Sequence, residues 1–272
     1  MKSAVKFSSG RTALLIIDLQ EEQRSDPLYA TADIEKVLAN ARRLLLAARK
    51  HKIPVFHAAY WRDYVVAPLR PFEPQGEDGH PLFSIKDSPL TAICREVAPE
   101  NGEAVIYKND ASAFSEGSLK ERLAALKIEW LVIAGVWTES CVAASVRDAI
   151  AAGFRVLLVK DACGSGSAAI HVTGVLNLAN RLYGGGVANV ARAEALMAGA
   201  EATVWTTNRP VPFSTACRTR ASSMKSSDFD KLSPTILCRR LLCSYPKFQS
   251  ESLHHFQKGG KFRISLPREC FV

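Results

Sequence analysis

The sequence predicts an α/β fold: a doubly wound, mostly parallel six-stranded sheet with helices on both faces, followed by a poorly ordered C-terminal tail. Two observations carry this. Short apolar runs alternate with helix-period segments from residue 12 to about residue 206, the pattern of strands joined by crossover helices. The runs are also nearly continuous in Val, Ile and Leu, as strands are when both faces are covered.

In chain order, the strands fall at "ALLIIDL" (13–19), "IPVFHAA" (53–59), "AVIYK" (104–108), "WLVIAGV" (130–136), "FRVLLVKD" (154–161) and "ATVWT" (202–206). The helices fall at 33–51, 118–127, 139–153 and 169–184, continued over 187–199; apolar residues recur there at i, i+3 and i+4, and several segments close on Gly or a basic residue. The connection 60–103 is rich in Pro and Gly and longer than an ordinary loop, so a lid or a contact in a homo-oligomer is expected there. After "TNRPVPF" (207–213) the periodicity stops. The expected domains are therefore 1–213, carrying the function, and 214–272, an extension too poor in patterned apolar residues to order itself.

Charge is distributed unevenly. The net charge is +8, but residues 213–272 hold eleven basic and four acidic residues, which leaves the body at +1. The core domain is thus not expected to bind nucleic acid; the tail could do so weakly. The N-terminal apolar run, Ala13 to Ile17, is too short for a signal segment, and no stretch has the length of a membrane span. Seven cysteines without regular spacing suit a reducing, cytoplasmic setting.

Three strand ends carry chemistry. Asp18 closes the first strand and Lys108 the third, at the sheet edge where doubly wound folds bind ligands. Taken singly, Asp18 could cap a turn and Lys108 could face water. Cys141 follows the apolar run in "GVWTESCVAASVRDA" (135–149). With Thr138 as N-cap it falls in the first turn of a helix, where free amides favour a thiolate and can hold an oxyanion; taken singly it could be a small core residue. An acid, a cation and a thiol at strand ends of one sheet together make a set suited to acyl transfer.

Other patterns are weaker. "GSGSAA" (164–169) follows a strand and opens a helix but lacks the acid of a dinucleotide site, and reads as a turn. Cys238, Cys243, His254 and His255 lack zinc-finger spacing.

The stretches "ALLIIDLQ", "VIYKNDASAF", "LVIAGVWTESCVAASVRDAIAAGFRVLLVKDAC" and "HVTGVLNLANRLYGGGV" resemble, in order and spacing, the isochorismatase-like cysteine hydrolases, which include nicotinamidase, N-carbamoylsarcosine amidase, biuret hydrolase and ureidoacrylate amidohydrolase. The resemblance covers about residues 10–208. It implies Asp18 as general base, Lys108 as its charged partner, Cys141 as nucleophile, and a non-proline cis peptide at Val136–Trp137 beside the oxyanion amides of Trp137 and Cys141. Retention of the thiol argues for an acyl-enzyme route on a small amide or ureide and against vinyl-ether cleavage. Nicotinamidases place an Asp-x-His pair and another His after the second strand; "FHAAYWRDY" puts His57 and Asp63 at a different spacing, so neither metal nor other cofactor is expected. Trp137 should narrow the pocket, with Tyr60, Trp61, Arg62 and Phe114 as further lining candidates by position and Arg70 as another anion-binding candidate. The competing expectation is a non-catalytic binding or scaffold protein on the same fold with a basic interaction tail.

Overall fold

A computed structural model describes residues 2–100 and 102–205. The expected tail, its cysteines and histidines and the boundary at Phe213 lie outside the described residues. Within them one eight-stranded sheet runs in the order β1, β8, β7, β6, β5, β2, β3, β4. The strands are β1 (Lys2–Val5), β2 (Thr12–Ile17), β3 (Val55–Tyr60), β4 (Ala104–Lys108), β5 (Trp130–Gly135), β6 (Arg155–Cys163), β7 (Gly186–Ala188) and β8 (Ala202–Trp205). Strands β2 to β7 pair in parallel; β8 is antiparallel to both β7 and β1.

The six expected strands are present, and the count rises to eight because two short ones escaped the pattern. β1 has four residues, only the last two of them apolar, and among the described residues pairs with β8 at the sheet edge. β7 has three residues, of which Val187 and Ala188 fall in the segment expected to be helical, 187–199. The helix there begins later, at Val190, because Asn189 is extended and its side chain accepts from the Arg192 N–H.

Helices α1 (Glu22–Ser25), α2 (Ile34–Lys50), α3 (Ser118–Ala125), α4 (Cys141–Ala151), α5 (Ala168–Ala179) and α6 (Val190–Met197) cover the sheet. The pleat divides the core in two. Leu14 and Ile16 of β2 pack with Leu38, Leu44 and Leu45 of α2 and Leu196 of α6. Ala13, Leu15 and Ile17 pack instead with Leu119 and Leu123 of α3, Val142 and Val146 of α4, and Val175 of α5. This period of two, with both faces apolar, is why the run read as a continuous hydrophobic string.

Chain direction reverses its walk across the sheet at β2: β3 and β4 lie on one side, β5, β6 and β7 on the other. The carboxyl ends of β2 and β5 diverge into loops of opposite sense, opening a crevice where doubly wound sheets take ligands. Among the described residues, no helix is long and apolar enough to cross a membrane.

Candidate active site

Asp18 is the first residue past β2. Its φ of 51° is left-handed, its N–H still donates to the Ala58 carbonyl at 2.9 Å, and its side chain is buried. Lys108, the last residue of β4, is fully buried two strands away. Its long stem spans the gap: Nζ sits 4.2 Å from the Tyr60 ring centroid at the end of β3 and reaches Asp18 Oδ2 at 2.8 Å. A second Nζ hydrogen bond, 3.1 Å, goes to the Asp110 carbonyl. Beyond the ion pair, the Asp18 oxygens accept no well-directed hydrogen bond from the described residues.

Cys141 arrives from β5 by a turn with little freedom. Gly135 has φ +130° and pairs with Ile17; a Cβ there would lie 2.0 Å from the Ile17 carbonyl oxygen, so only glycine fits. The next peptide bond, Val136–Trp137, is cis. The Trp137 carbonyl then accepts from both Ser140 N and Val142 N, at 3.0 and 3.1 Å, and α4 starts at Cys141. Among the described residues, the Trp137 and Cys141 N–H groups have no acceptor.

The cap differs from expectation. Ser140, not Thr138, precedes the helix, so Cys141 is its first residue. Thr138 faces another way: its N–H and Oγ1 both donate to the Gly164 carbonyl, at 2.8 and 2.9 Å, and Oγ1 lies 2.8 Å from His171 Nδ1. A hydroxyl already used to join the β5 and β6 ends cannot also serve the helix amides. Gly164 opens the "GSGSAA" turn, and Ser167 caps α5 through Ile170 N.

A cavity of about 180 Å³ lies at these strand ends, with Asp18, Tyr60, Val136, Trp137 and Cys141 in its wall. That is smaller than the roughly 300–1,000 Å³ of a site for drug-sized ligands. Its aromatic walls hold one another: Tyr29 stacks on Trp137 (6.1 Å, 24°), and Phe83 lies 5.0 Å from Tyr29 and 5.9 Å from Tyr60 between ring centroids. The Trp137 indole N–H donates to Thr31 Oγ1 at 2.9 Å. A small flat group is what such faces can grip.

Electrostatics inside the cavity run against the expected free thiolate. Burial pushes the Asp18 carboxyl above its usual range, opposed by Lys108. The Cys141 thiol is pushed up to about 12, first by burial, then by the Asp18 charge, with Lys108 opposing. One helix end and one lysine do not outweigh desolvation and a neighbouring carboxylate. Cys141 rests as a thiol beside the Asp18 carboxyl, and the same burial that protects the thiol makes Asp18 a stronger proton acceptor.

Three of the five lining candidates lie elsewhere. Trp61 packs on Tyr107 (4.4 Å) beneath Lys86. Arg62 is buried, pairs with Glu73 and lies 4.4 Å from the Tyr64 ring centroid. Phe114 packs in the core with Phe154. Tyr60 alone of its run turns to the cavity, since successive residues at a strand end point to opposite faces. Arg70 pairs with Asp110 at 3.1 Å. His57 bonds Glu103 Oε2 at 3.0 Å and Asp63 bonds Lys86 at 2.9 Å, so neither shares a site.

Residues not anticipated from sequence include Glu22, Gln23, Tyr29, Phe83 and Ser84. Glu22 opens α1, four positions after Asp18, but the two are not on one helix and the spacing carries no signal. Phe83 and Ser84 come from the long connection, which supplies a wall as expected of a lid segment. Gln20 fixes that connection to the sheet: its Oε1 accepts from Tyr60 N at 2.8 Å, and its Nε2 donates to the Tyr60 and Thr91 carbonyls at 3.0 and 2.8 Å.

The chain is 32% identical over 184 residues to maleamate amidohydrolase of Pseudomonas putida, a match spanning 64% of this chain and 81% of that one. It is 31% identical to N-carbamoylsarcosine amidase of an Arthrobacter species, over 57% of this chain and 60% of that one. Its fold superimposes on that of a cysteine hydrolase from Pseudomonas syringae pv. phaseolicola with a TM-score of 0.64 at 16% identity, covering 71% of this chain and 95% of that one. The isochorismatase domain model matches residues 12–192, and the chain belongs to the isochorismatase family.

Proposed function

We propose that this protein hydrolyses the C–N bond of a small planar amide or ureide through a thioester on Cys141. The observation that carries the reading is the meeting of Asp18, held by Lys108, with Cys141 on the wall of one small aromatic cavity. The relatives named as amidohydrolase and amidase support the same reaction class.

In the first half-reaction Asp18 takes the Sγ proton as sulfur attacks the carbonyl carbon. Transfer at the moment of attack avoids a free thiolate, which the raised thiol pKa disfavours in the empty site. The carbonyl oxygen gains the electron pair and is met by the unpaired N–H groups of Trp137 and Cys141. Asp18 returns the proton to the departing nitrogen, the C–N bond breaks, and ammonia or an amine leaves the thioester. Water then attacks the same carbon while giving a proton to Asp18. Collapse breaks the C–S bond, the thiolate recovers that proton, and the acid leaves.

Lys108 touches no reacting atom in this scheme. It holds the Asp18 carboxyl in position and opposes the burial that raises its pKa. The test is ammonia release from a panel of amides and ureides by the wild type and by Cys141→Ala: turnover that survives the substitution overturns the mechanism.

A further inference from the structure

The cavity wall carries a second carboxylate. Glu22 is 3% exposed, and both of its oxygens are held by one residue of the long connection: Oε1 accepts from Ser84 N at 2.7 Å and Oε2 from Ser84 Oγ at 2.8 Å. Ser84 is itself 1% exposed with φ +51°, and its carbonyl accepts from Arg62 N at 2.8 Å. A carboxylate fixed so firmly cannot swing away from an occupant.

Beside it Gln23 is 8% exposed, and its Oε1 is buried without a hydrogen-bond partner. A buried amide oxygen left unpaired costs stability unless something in the working state donates to it. Among the described residues, no Arg, Lys or His lines the cavity. Lys108, behind Asp18, is already committed to that carboxylate. Arg24, which directly follows Gln23, is committed to Glu21, Glu35 and Glu96, and Arg62 and Arg70 are committed to Glu73 and Asp110. The wall therefore offers acceptors to donors and negative charge to positive or neutral groups.

Resting on the amidohydrolase reading above, we propose that the substrate is an uncharged, N–H-rich amide such as a ureide or a diamide, and that Glu22 with Gln23 selects it against amides bearing a carboxylate. The distal N–H groups of such a molecule donate to Glu22 and Gln23 Oε1 while its carbonyl carbon faces Cys141. Burial raises the Glu22 pKa against the two Ser84 hydrogen bonds, which favour the anion; a substrate carboxylate in the same place has no proton to donate to these acceptor oxygens and meets them in a partly desolvated site, which disfavours it strongly. Maleamate and N-carbamoylsarcosine, for which the two relatives above are named, are carboxylic acids that ionise at neutral pH; this wall is built for a different partner.

Two reagents of nearly equal shape test the idea on the full-length protein. Iodoacetamide and iodoacetate both alkylate thiols, one neutral and one anionic, and peptide mass mapping reads the rate at Cys141. The amide-to-acetate rate ratio, divided by that for free cysteine under the same conditions, should be about tenfold or more. Glu22→Gln, which can keep both Ser84 contacts with one reversed, should lower that ratio several-fold. In parallel, malonamide should be hydrolysed with higher kcat/KM than malonamate, and N-carbamoylglycinamide with higher kcat/KM than N-carbamoylglycine. A normalised ratio near one, or a ratio unmoved by E22Q, overturns the selection by Glu22 and leaves the thioester mechanism standing. Turnover that persists in Cys141→Ala overturns the mechanism and leaves the charge preference of the cavity to be read from the wild-type alkylation ratio.

Discussion

Two carboxylates of this chain, one buried and one partly buried, lie next to cations, and their pKa values move in opposite directions. Glu103, just before β4, is saturated: Arg49 Nε and Nη2 donate to it at 2.8 and 2.9 Å, Glu100 N at 2.9 Å, and His57 Nε2 lies 3.0 Å away. Its pKa falls to about 2 despite burial. Asp18 has the Lys108 ion pair and no other well-directed hydrogen bond, and its pKa rises. Counter-charge alone does not decide the outcome; the depth of burial and the hydrogen bonds set against it do. Glu103 has nothing left to offer a ligand. Asp18 is held from one side and open on the other, as a proton acceptor must be.

The contrast breaks first at the open site. Asp18→Asn keeps the shape and removes the acceptor, so kcat/KM should fall by about 10²–10⁴ or more; it also leaves the buried Lys108 without its counter-charge, so the thermal unfolding midpoint falls as well. An equal loss in Glu103→Gln would erase the distinction between the two carboxylates.

Removing the cation beside Asp18 sharpens it. Lys108→Met leaves a carboxylate without its partner in a dry site, at a cost of about 3–5 kcal/mol, less whatever Asp18 recovers by taking up a proton. Because Lys108 lowers the Asp18 pKa, the acid limb of the kcat/KM profile should move to higher pH in the variant. Restored activity at raised pH, with the limb displaced, identifies Lys108 as a positioning and charge-holding residue; an unmoved limb refutes that role.

The saturated site should answer in stability and not in rate. Since Glu103 titrates lower folded than unfolded, its contribution is complete above the ordinary value of 4.5 and is lost as pH falls towards about 2. His57, whose pKa burial lowers, loses its contribution as pH falls through its ordinary value of 6.5. Glu103→Gln should cost about 1–3 kcal/mol at neutral pH and flatten the stability loss below pH 4.5 in urea titrations, with kcat/KM unchanged.

How these sites were or were not legible follows from the range of the interactions that make them. Asp18, Lys108 and Cys141 each interrupt or end an apolar run, a local signal, and the parallel topology inferred from the same runs puts strand ends on one edge. Gly135 and the small turn after it were equally visible. Glu22 and Ser84 meet across 62 positions, and no periodicity records such a pairing. Arg62 is a lining candidate by its position after β3, yet the connection folds Glu73 back onto it. The Cys141 environment misled for a different reason: the helix end is readable in sequence, but the burial that outweighs it is a property of the assembled walls. β1 and β7 were missed because strands of four and three residues are too short to establish a period.

The smallest expected effect concerns the wall that neither carboxylate touches. Thr31 is buried, and its hydroxyl receives the Trp137 indole N–H at 2.9 Å. Thr31→Val keeps the volume and removes the acceptor, costing about 1 kcal/mol because the half-buried indole can turn partly to water. The Trp137 ring then loses its fixed tilt against Tyr29, and a flat substrate meets a looser face. KM should rise a few-fold, since stacking acts on ground state and transition state alike, while kcat stays within about twofold. The backbone N–H of Trp137 is set by the turn from Gly135 and by the Trp137 carbonyl bonds to Ser140 and Val142, not by the indole. A large fall in kcat with KM unchanged would mean that the indole and the oxyanion amide move together, and that the aromatic wall belongs to the chemistry and not to binding alone.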